Sequence, residues 1–367
     1  MLDSEHIDRA PARARPAPRR LPWPLRWPLR LIWFGVQLAI ALYGLGMIAY
    51  LVAEAVAGDE VSLVGFFGNF FPWLAWGGFI FSLVALFSRL RKLLIALQLP
   101  GIVMFVILYG ELFWPQSIPM TSGPHLTAAT FNIHAHSDPE DIVDTIAALD
   151  FDILGIEELS STHVPALEER LDGRYPYRVF YAKEPYDGAK PPPLSGVGLI
   201  SRYPILDHEA IITAHRMRHL RATVSIEGVP VTIYVIHPDN PIFMPPHQYD
   251  ASRRASAFDV LLPRFAAETN PVIVLCDCNM TDRSQDYRNM ARLFNDAFRE
   301  AGWGMGFTFA STTGLIPPAI RIDYIWHSDD FVARDAYVSA DSGPSDHYPV
   351  VAELALRDTP SGERAAR

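Results

Sequence analysis

Six short polar clusters punctuate the last two-thirds of the 367-residue chain, each beside a run of apolar, β-type residues. They are Asn132 and His134 in FNIH, Glu157 and Glu158 in IEEL, His237, Asp239 and Asn240 in IHPDN, Asp277 and Asn279 in LCDCN, Asp323 in RIDYIW, and Ser345, Asp346 and His347 in SDH. Polar groups at the ends of buried strands cost stability unless they pair or bind something. Together these side chains offer hard oxygen donors for a cation such as Mg²⁺ or Mn²⁺, and groups able to move protons. Hydrolysis of a phosphoester needs that combination. One cluster alone would carry little weight; six in one region are hard to explain as accident.

The elements that must position them begin at Leu126, where short apolar runs alternate with amphipathic stretches. Strands are expected over 126–133, 151–156, 197–201, 222–226, 231–236, 272–275, 322–326 and 348–354, and helices over 247–267 and 284–301. Ser137 and Glu140 are expected to form a capping box for a helix whose Ile142, Ile146 and Leu149 share one face. This mixture favours a layered α/β sandwich over a doubly wound sheet. The domain spans 126–357, and 358–367 is expected to be a flexible tail.

In their order these motifs resemble the endonuclease/exonuclease/phosphatase (DNase I-like) superfamily over about residues 126–355. The order is N-x-[NDH], a strand ending in Glu, G-V-x-x-x-S-[RK]-x-P (here GVGLISRYP, Gly196 to Pro204), a strand ending in His, D-x-N, D-Y-[IV] and S-D-H. The resemblance implies a four-layer α/β sandwich whose strand ends meet in one cleft. It gives Asp277 the role of holding and activating the attacking water, with Asn279 donating to the phosphorane-like oxygens. Glu158 and Asp346, helped by Asn132, are the expected metal ligands. Asp323 is expected to orient His347 and favour its protonated form, and His237 to face the phosphate as a donor or general acid.

Two positions depart from the pattern: His134 stands where relatives often have Asn or Asp, and Glu157 where they commonly have Gln. Glu157 is expected to point to the face opposite Glu158, as neighbours in a strand do. His136, His163, His215 and His219 fit no motif and are expected on the surface or in packing. Arg202 and Arg221 either reach a phosphate or form structural salt bridges. Cys276 and Cys278 flank Asp277 and are expected to be free buried thiols, because a bridge between strand positions two apart would be strained.

The first third reads differently. Three apolar runs, about 31–52, 61–88 and 93–114, are each long enough to cross a bilayer, which takes about 20 helical residues. Pro72 and Pro100 are read as kinks, and Trp23, Trp27, Trp33 and Trp114 as interfacial anchors. The Arg/Pro-rich segment 1–30 and the basic residues at 89–92 place the N-terminus in the cytoplasm by the positive-inside rule. The linker 115–125 then delivers the α/β domain outside, close to the membrane. The chain is thus expected to be a multi-pass protein of the cell membrane: an all-α transmembrane region of three helices followed by the sandwich. This layout also resembles VanJ-type bacterial proteins, which implies polyprenyl pyrophosphate carriers as substrates.

Charge bears on the substrate. The first 120 residues carry 10 Lys/Arg and 7 Asp/Glu, and the remainder carries 21 and 34. An acidic domain is a poor general binder of nucleic acid, whose affinity comes mainly from Lys and Arg displacing counterions. A phosphate-containing, lipid-linked substrate at the bilayer is therefore the leading expectation, with Ile242, Phe243 and Met244 placed near the cleft. A surface nuclease and a catalytically silent binding protein are the alternatives.

Overall fold

The computed structural model describes residues 23–114, 121–171, 173–186, 188, 192–244, 248–310 and 317–357. Most of the Arg-rich N-terminal segment, much of the linker and the C-terminal tail lie outside them. The first apolar run falls within one long helix, α1 (Trp23–Ala57). The second is divided between α2 (Ser62–Asn69) and α3 (Phe71–Ala85), which meet at 71°. Pro72 explains the break: it has no N–H to donate to the carbonyl of Gly68, and its ring crowds that carbonyl. The chain turns at Phe70, and Pro72 sits in the first turn of the new helix, where proline is tolerated. The third run is α4 (Arg91–Tyr109), which contains Pro100 and ends in a single 3₁₀ turn. α1 and α4 are long and apolar enough to cross a membrane, and α2 with α3 adds a third candidate if the bent pair counts as one span.

Onward from there the order is β1 (His125–Asn132), α5 (Pro139–Ala148), β2 (Ile153–Glu157), α6 (Val164–Leu171), β3 (Tyr177–Tyr181), β4 (Val197–Ser201), β5 (Ile205–Ile212), β6 (Arg218–Ile226) and β7 (Val229–Ile236). It continues through β8 (Ile242–Met244), β9 (Gln248–Asp250), α7 (Ser252–Ala266), β10 (Val272–Asp277), α8 (Gln285–Met290), β11 (Asn295–Asp296), α9 (Ala297–Ala301), β12 (Asp323–His327), β13 (Phe331–Val338) and β14 (Val350–Leu356). The helix start near residue 138 is capped by Asp138 rather than by Ser137. Asp138 accepts from the backbone N–H groups of Glu140 and Asp141, and Pro139 fixes the first helical residue. The helix expected over 284–301 is two helices, because Asp296 leaves the helical path and caps α9 instead.

Two six-stranded sheets form, in the orders β13-β14-β1-β2-β4-β3 and β11-β12-β10-β7-β6-β5. Their inner faces share one apolar core that includes Ile153, Val235, Leu275 and Ile325. Gly155 permits the close approach: a Cβ there would lie 2.7 Å from that of Leu275. α5 and α6 cover the outside of the first sheet, and α7 and α8 the outside of the second. The result is the expected four-layer α/β sandwich. Phe258 and Leu261 of α7 are essentially fully buried, each contributing about 1.5–3 kcal/mol.

Strand directions gather the site. β1 and β2 are parallel, as are β7 and β10, so Asn132, Glu157, Ile236 and Asp277 end their strands at one edge of the sandwich. β12 runs antiparallel to β10, pairing its first residue, Asp323, with Asp277. β14 runs antiparallel to β1, which brings the preceding Asp346 and His347 to the same edge.

Candidate functional site

Just past three strand ends the backbone enters the left-handed region, at His134 (φ 53°), Glu158 (φ 56°) and Asn279 (φ 49°). Such conformations are uncommon away from glycine and cluster at functional sites. At Glu158 the turn ends the strand's alternation, and this corrects the expectation for its neighbour. Glu157, as the last residue of β2, is fully buried, and its Oε1 accepts from Thr130 Oγ1 at 2.8 Å. Asp277, Asp323 and His347 are near enough to influence its charge. Burial, only partly opposed by the Thr130 bond, pushes the Glu157 carboxyl well above its ordinary range.

Glu158, His237, Asp277, Asn279, Asp346 and His347 line a cleft of about 490 Å³, and Asn132 and Asp323 are bonded to residues of that lining. Asn132 Nδ2 donates to Asp277 Oδ2 at 2.8 Å and to Glu158 Oε1 at 3.3 Å, while its Oδ1 accepts from the His134 N–H. Glu158 Oε2 accepts from the Ala135 N–H. Burial alone would raise the pKa of Glu158, but His237 and these hydrogen bonds outweigh it and hold the carboxylate below its ordinary value. His237 Nε2 lies 3.4 Å from Asp277 Oδ2 and 4.0 Å from Glu158 Oε1. Asp277 Oδ1 accepts from the Asn279 N–H, and Asn279 Nδ2 donates to the Pro238 carbonyl.

His347 Nδ1 is 3.0 Å from both carboxylate oxygens of Asp323, and its Nε2 is 3.8 Å from Asp277 Oδ2. Burial disfavours its charge, yet Asp323 and Asp277 prevail and lift its pKa to about 10. Ser345 positions this segment by donating to the Asn132 carbonyl and accepting from the His347 N–H. Asp277, Asp323 and His347 offer ligand atoms within 4.8 Å of one another, a second group beside Glu158 that could hold a cation. Asp346 lines the same cleft.

Several groups were not legible as site residues. Phe66, Asn69 and Phe70 from the helical region line the cleft, beside Asp239 and His134 of the expected polar clusters. Arg254, buried, joins Asp286 Oδ2 at 2.7 Å to the Asn279 carbonyl at 2.7 Å and so holds the turn beyond Asp277. Of the segment expected near the cleft, Met244 is exposed, and the side chain of Phe243 lies outside the described residues. Asp239, Asn240, Pro241 and Tyr249 occupy that part of the lining. Arg202 pairs with Asp150 and Asp152, and Arg221 with Glu268, so both are structural.

Cys276 and Cys278 are joined by a disulfide, which corrects the expectation of free thiols. An extended strand would set residues two apart at about 6.6 Å, but the chain leaves β10 after Asp277 and the two Cα atoms are 5.1 Å apart. That separation is within reach of a bridge.

His219, behind His237, is fully buried and neutral. Its Nδ1 accepts from the His237 N–H, and its Nε2 faces Thr213 Oγ1 at 3.1 Å. Burial, reinforced by His237, lowers its pKa to about 3. An unfolded histidine takes up a proton near pH 6.5, so this group's stability is present above that pH and is lost as pH falls toward 3, by about 1.4 kcal/mol per unit. His219→Gln should therefore flatten the acid-side decline of melting temperature. Parallel declines in the two proteins would contradict this account.

The sequence pattern of the Endonuclease/Exonuclease/phosphatase family matches residues 129–347. No curated protein matches the chain. Among solved structures, the endonuclease/exonuclease/phosphatase from Bacteroides vulgatus is similar at TM-score 0.52 and 20% identity, covering 64% of this chain and 99% of that one. The one from Beutenbergia cavernae gives 0.53 and 22%, covering 64% and 72%. A mannosyl-6-phosphatase from Bacteroides thetaiotaomicron gives 0.50 and 18%, covering 63% and 100%. At these identities the likeness establishes the fold.

Proposed function

Because the chain belongs to the endonuclease/exonuclease/phosphatase family, and is thereby a phosphoric ester hydrolase, we propose that it cleaves a lipid-borne phosphoester or pyrophosphate at the outer face of the cell membrane. The apolar helices serve as its anchor in this reading, with the N-terminus cytoplasmic. The convergence of Glu158, His237, Asp277 and His347 in one cleft, with Asn132 bonded to two of them, carries the hydrolytic part. The acidic balance of the domain speaks against a nucleic-acid backbone.

The donor set fits a hard divalent cation, Mg²⁺ or Mn²⁺. Glu158, partly buried, has its carboxylate held below the ordinary range by His237 and by bonds from the Ala135 N–H and Asn132. Asp346 supplies a second carboxylate. When bound, such a cation polarises a phosphoryl oxygen and offsets the charge that repels a nucleophile. Asp277 accepts the proton of the attacking water, and Asn132 and the Asn279 N–H fix the direction of its lone pairs. Imidazolium His347, oriented by Asp323, donates to the phosphoryl oxygens as negative charge accumulates. His237 donates from a second direction, with its backbone N–H anchored on His219.

The test uses the full chain in lipid nanodiscs with Mg²⁺. Hydrolysis of a lipid-linked pyrophosphate or phosphodiester, abolished by chelator and restored by Mg²⁺ or Mn²⁺, is the expected result. Activity confined to duplex DNA would overturn the lipid assignment, and chelator-resistant activity would overturn the role of the cation.

A further inference from the structure

The cleft that holds Glu158, Asp277 and His347 is lined by three residues from the α2–α3 elbow: Phe66, Asn69 and Phe70. The elbow is built onto the α/β domain. Asn69 Nδ2 donates to the Gly65 carbonyl, and its Oδ1 accepts from Thr281 Oγ1 at 3.0 Å, four residues beyond Asp277. Arg283 pairs with Glu54 where both are largely buried, and the Gln285 N–H donates to Asp59 at 3.0 Å. Trp73 of α3 donates to the Ala319 carbonyl at 2.7 Å and stacks on Phe307. The aromatic pair is therefore a fixed wall, its rings 5.3 Å apart at their centroids.

That wall is the wrong chemistry for a polar leaving group. Sugar hydroxyls or further phosphates pressed against Phe66, Phe70, Phe309 and Ile320 would lose water without gaining hydrogen bonds. A hydrocarbon gains from the same contact. The neighbouring Phe67, 5.2 Å from Phe66 between ring centroids, opens onto an apolar groove of about 240 Å³ shared with Met47 and Leu74. The groove lies among helices that the reading above places in the bilayer.

We infer that the elbow determines the specificity of the site: Phe66 and Phe70 hold the hydrocarbon adjoining the scissile phosphate, and Asn69 is the positioning residue that fixes them. The inference rests on the hydrolase reading, and it makes the helical region part of the substrate site as well as an anchor.

The experiment compares full-length protein in nanodiscs with its Phe66→Ala/Phe70→Ala and Phe66→Leu/Phe70→Leu forms. Two readouts are taken: kcat/KM on alkyl phosphates of two and ten carbons, in which the hydrocarbon adjoins the scissile phosphate, and calorimetric binding of the corresponding alkylphosphonates. The expected result is a strong preference for the longer chain in both readouts. The alanine form should cut that preference roughly tenfold to hundredfold, and the leucine form should restore most of it. Hydrolysis with no chain-length preference, or a preference unmoved by the alanine pair, overturns the inference and leaves the hydrolase reading standing. Elbow-dependent binding without turnover of any phosphoester does the reverse, and neither turnover nor chain-dependent binding removes both.

Discussion

Replacing His347 by Ala is expected to lower kcat/KM by roughly 10²- to 10⁴-fold while the protein stays folded. The imidazole is buried, bonded through Nδ1 to Asp323 and near Asp277 through Nε2, and its pKa is lifted to about 10. It is therefore cationic throughout the neutral range, suited to meet charge developing on phosphoryl oxygens. The lift depends mainly on Asp323, so Asp323→Asn provides a companion reading. Protonated His347 persists below its folded pKa and is lost as pH rises through it. With the carboxylate gone that loss moves downward, and the alkaline limb of the pH–rate profile should shift toward neutrality. An unshifted limb would show that another group sets it. Retention of near-full activity by the His347→Ala form would remove His347 from the chemistry.

Asp277→Asn should be comparably damaging, again roughly 10²- to 10⁴-fold, although it is nearly isosteric. The carboxylate accepts from Asn132 Nδ2 and the Asn279 N–H and lies between His237 and His347. An amide there keeps the Oδ1 contact but cannot take a proton from water. Because Glu158 and Asp346 are assigned to the cation, the Mg²⁺ concentration for half-activation should change by no more than about threefold. A collapse of Mg²⁺ affinity would instead mark the Asp277–Asp323–His347 group as the metal centre. The double variant with His347→Ala should cost little more than the worse single one, since groups acting as a unit are not additive.

Most of this centre was legible because its residues terminate strands whose both faces are buried. In β2, β7 and β10 a largely apolar, buried run ends at a polar cluster and parallel pairing aligns the ends, while β12 starts at Asp323 and reaches the same edge by running antiparallel to β10. Edge strands were harder to read: β5 is mostly exposed and carries Asp207, His208 and Glu209, so no apolar run announces it. The direction of Glu157 was misjudged because alternation holds only inside a strand, and Glu158 lies beyond the end with positive φ. The bridge between Cys276 and Cys278 escaped for the same reason. Phe66, Asn69 and Phe70 were unreadable as site residues, since an apolar run with one Asn looks like any bilayer segment. Only the break imposed by Pro72 and the bond to Thr281 turn them toward the cleft.

The ion pairs and hydrogen bonds that clasp the elbow also limit how such a chain can be rebuilt. Glu54, Asp59, Tyr109 and Glu111 come from the early helices, yet their partners Arg283, Gln285, Asp282 and Arg299 lie far along the polypeptide. The N-terminal part emerges from the ribosome long before the surface it must meet, so its acidic groups wait in solvent until the sandwich closes on them. A borrowed apolar segment of equal length would lack Phe66, Asn69 and Phe70 and so leave the cleft without a side.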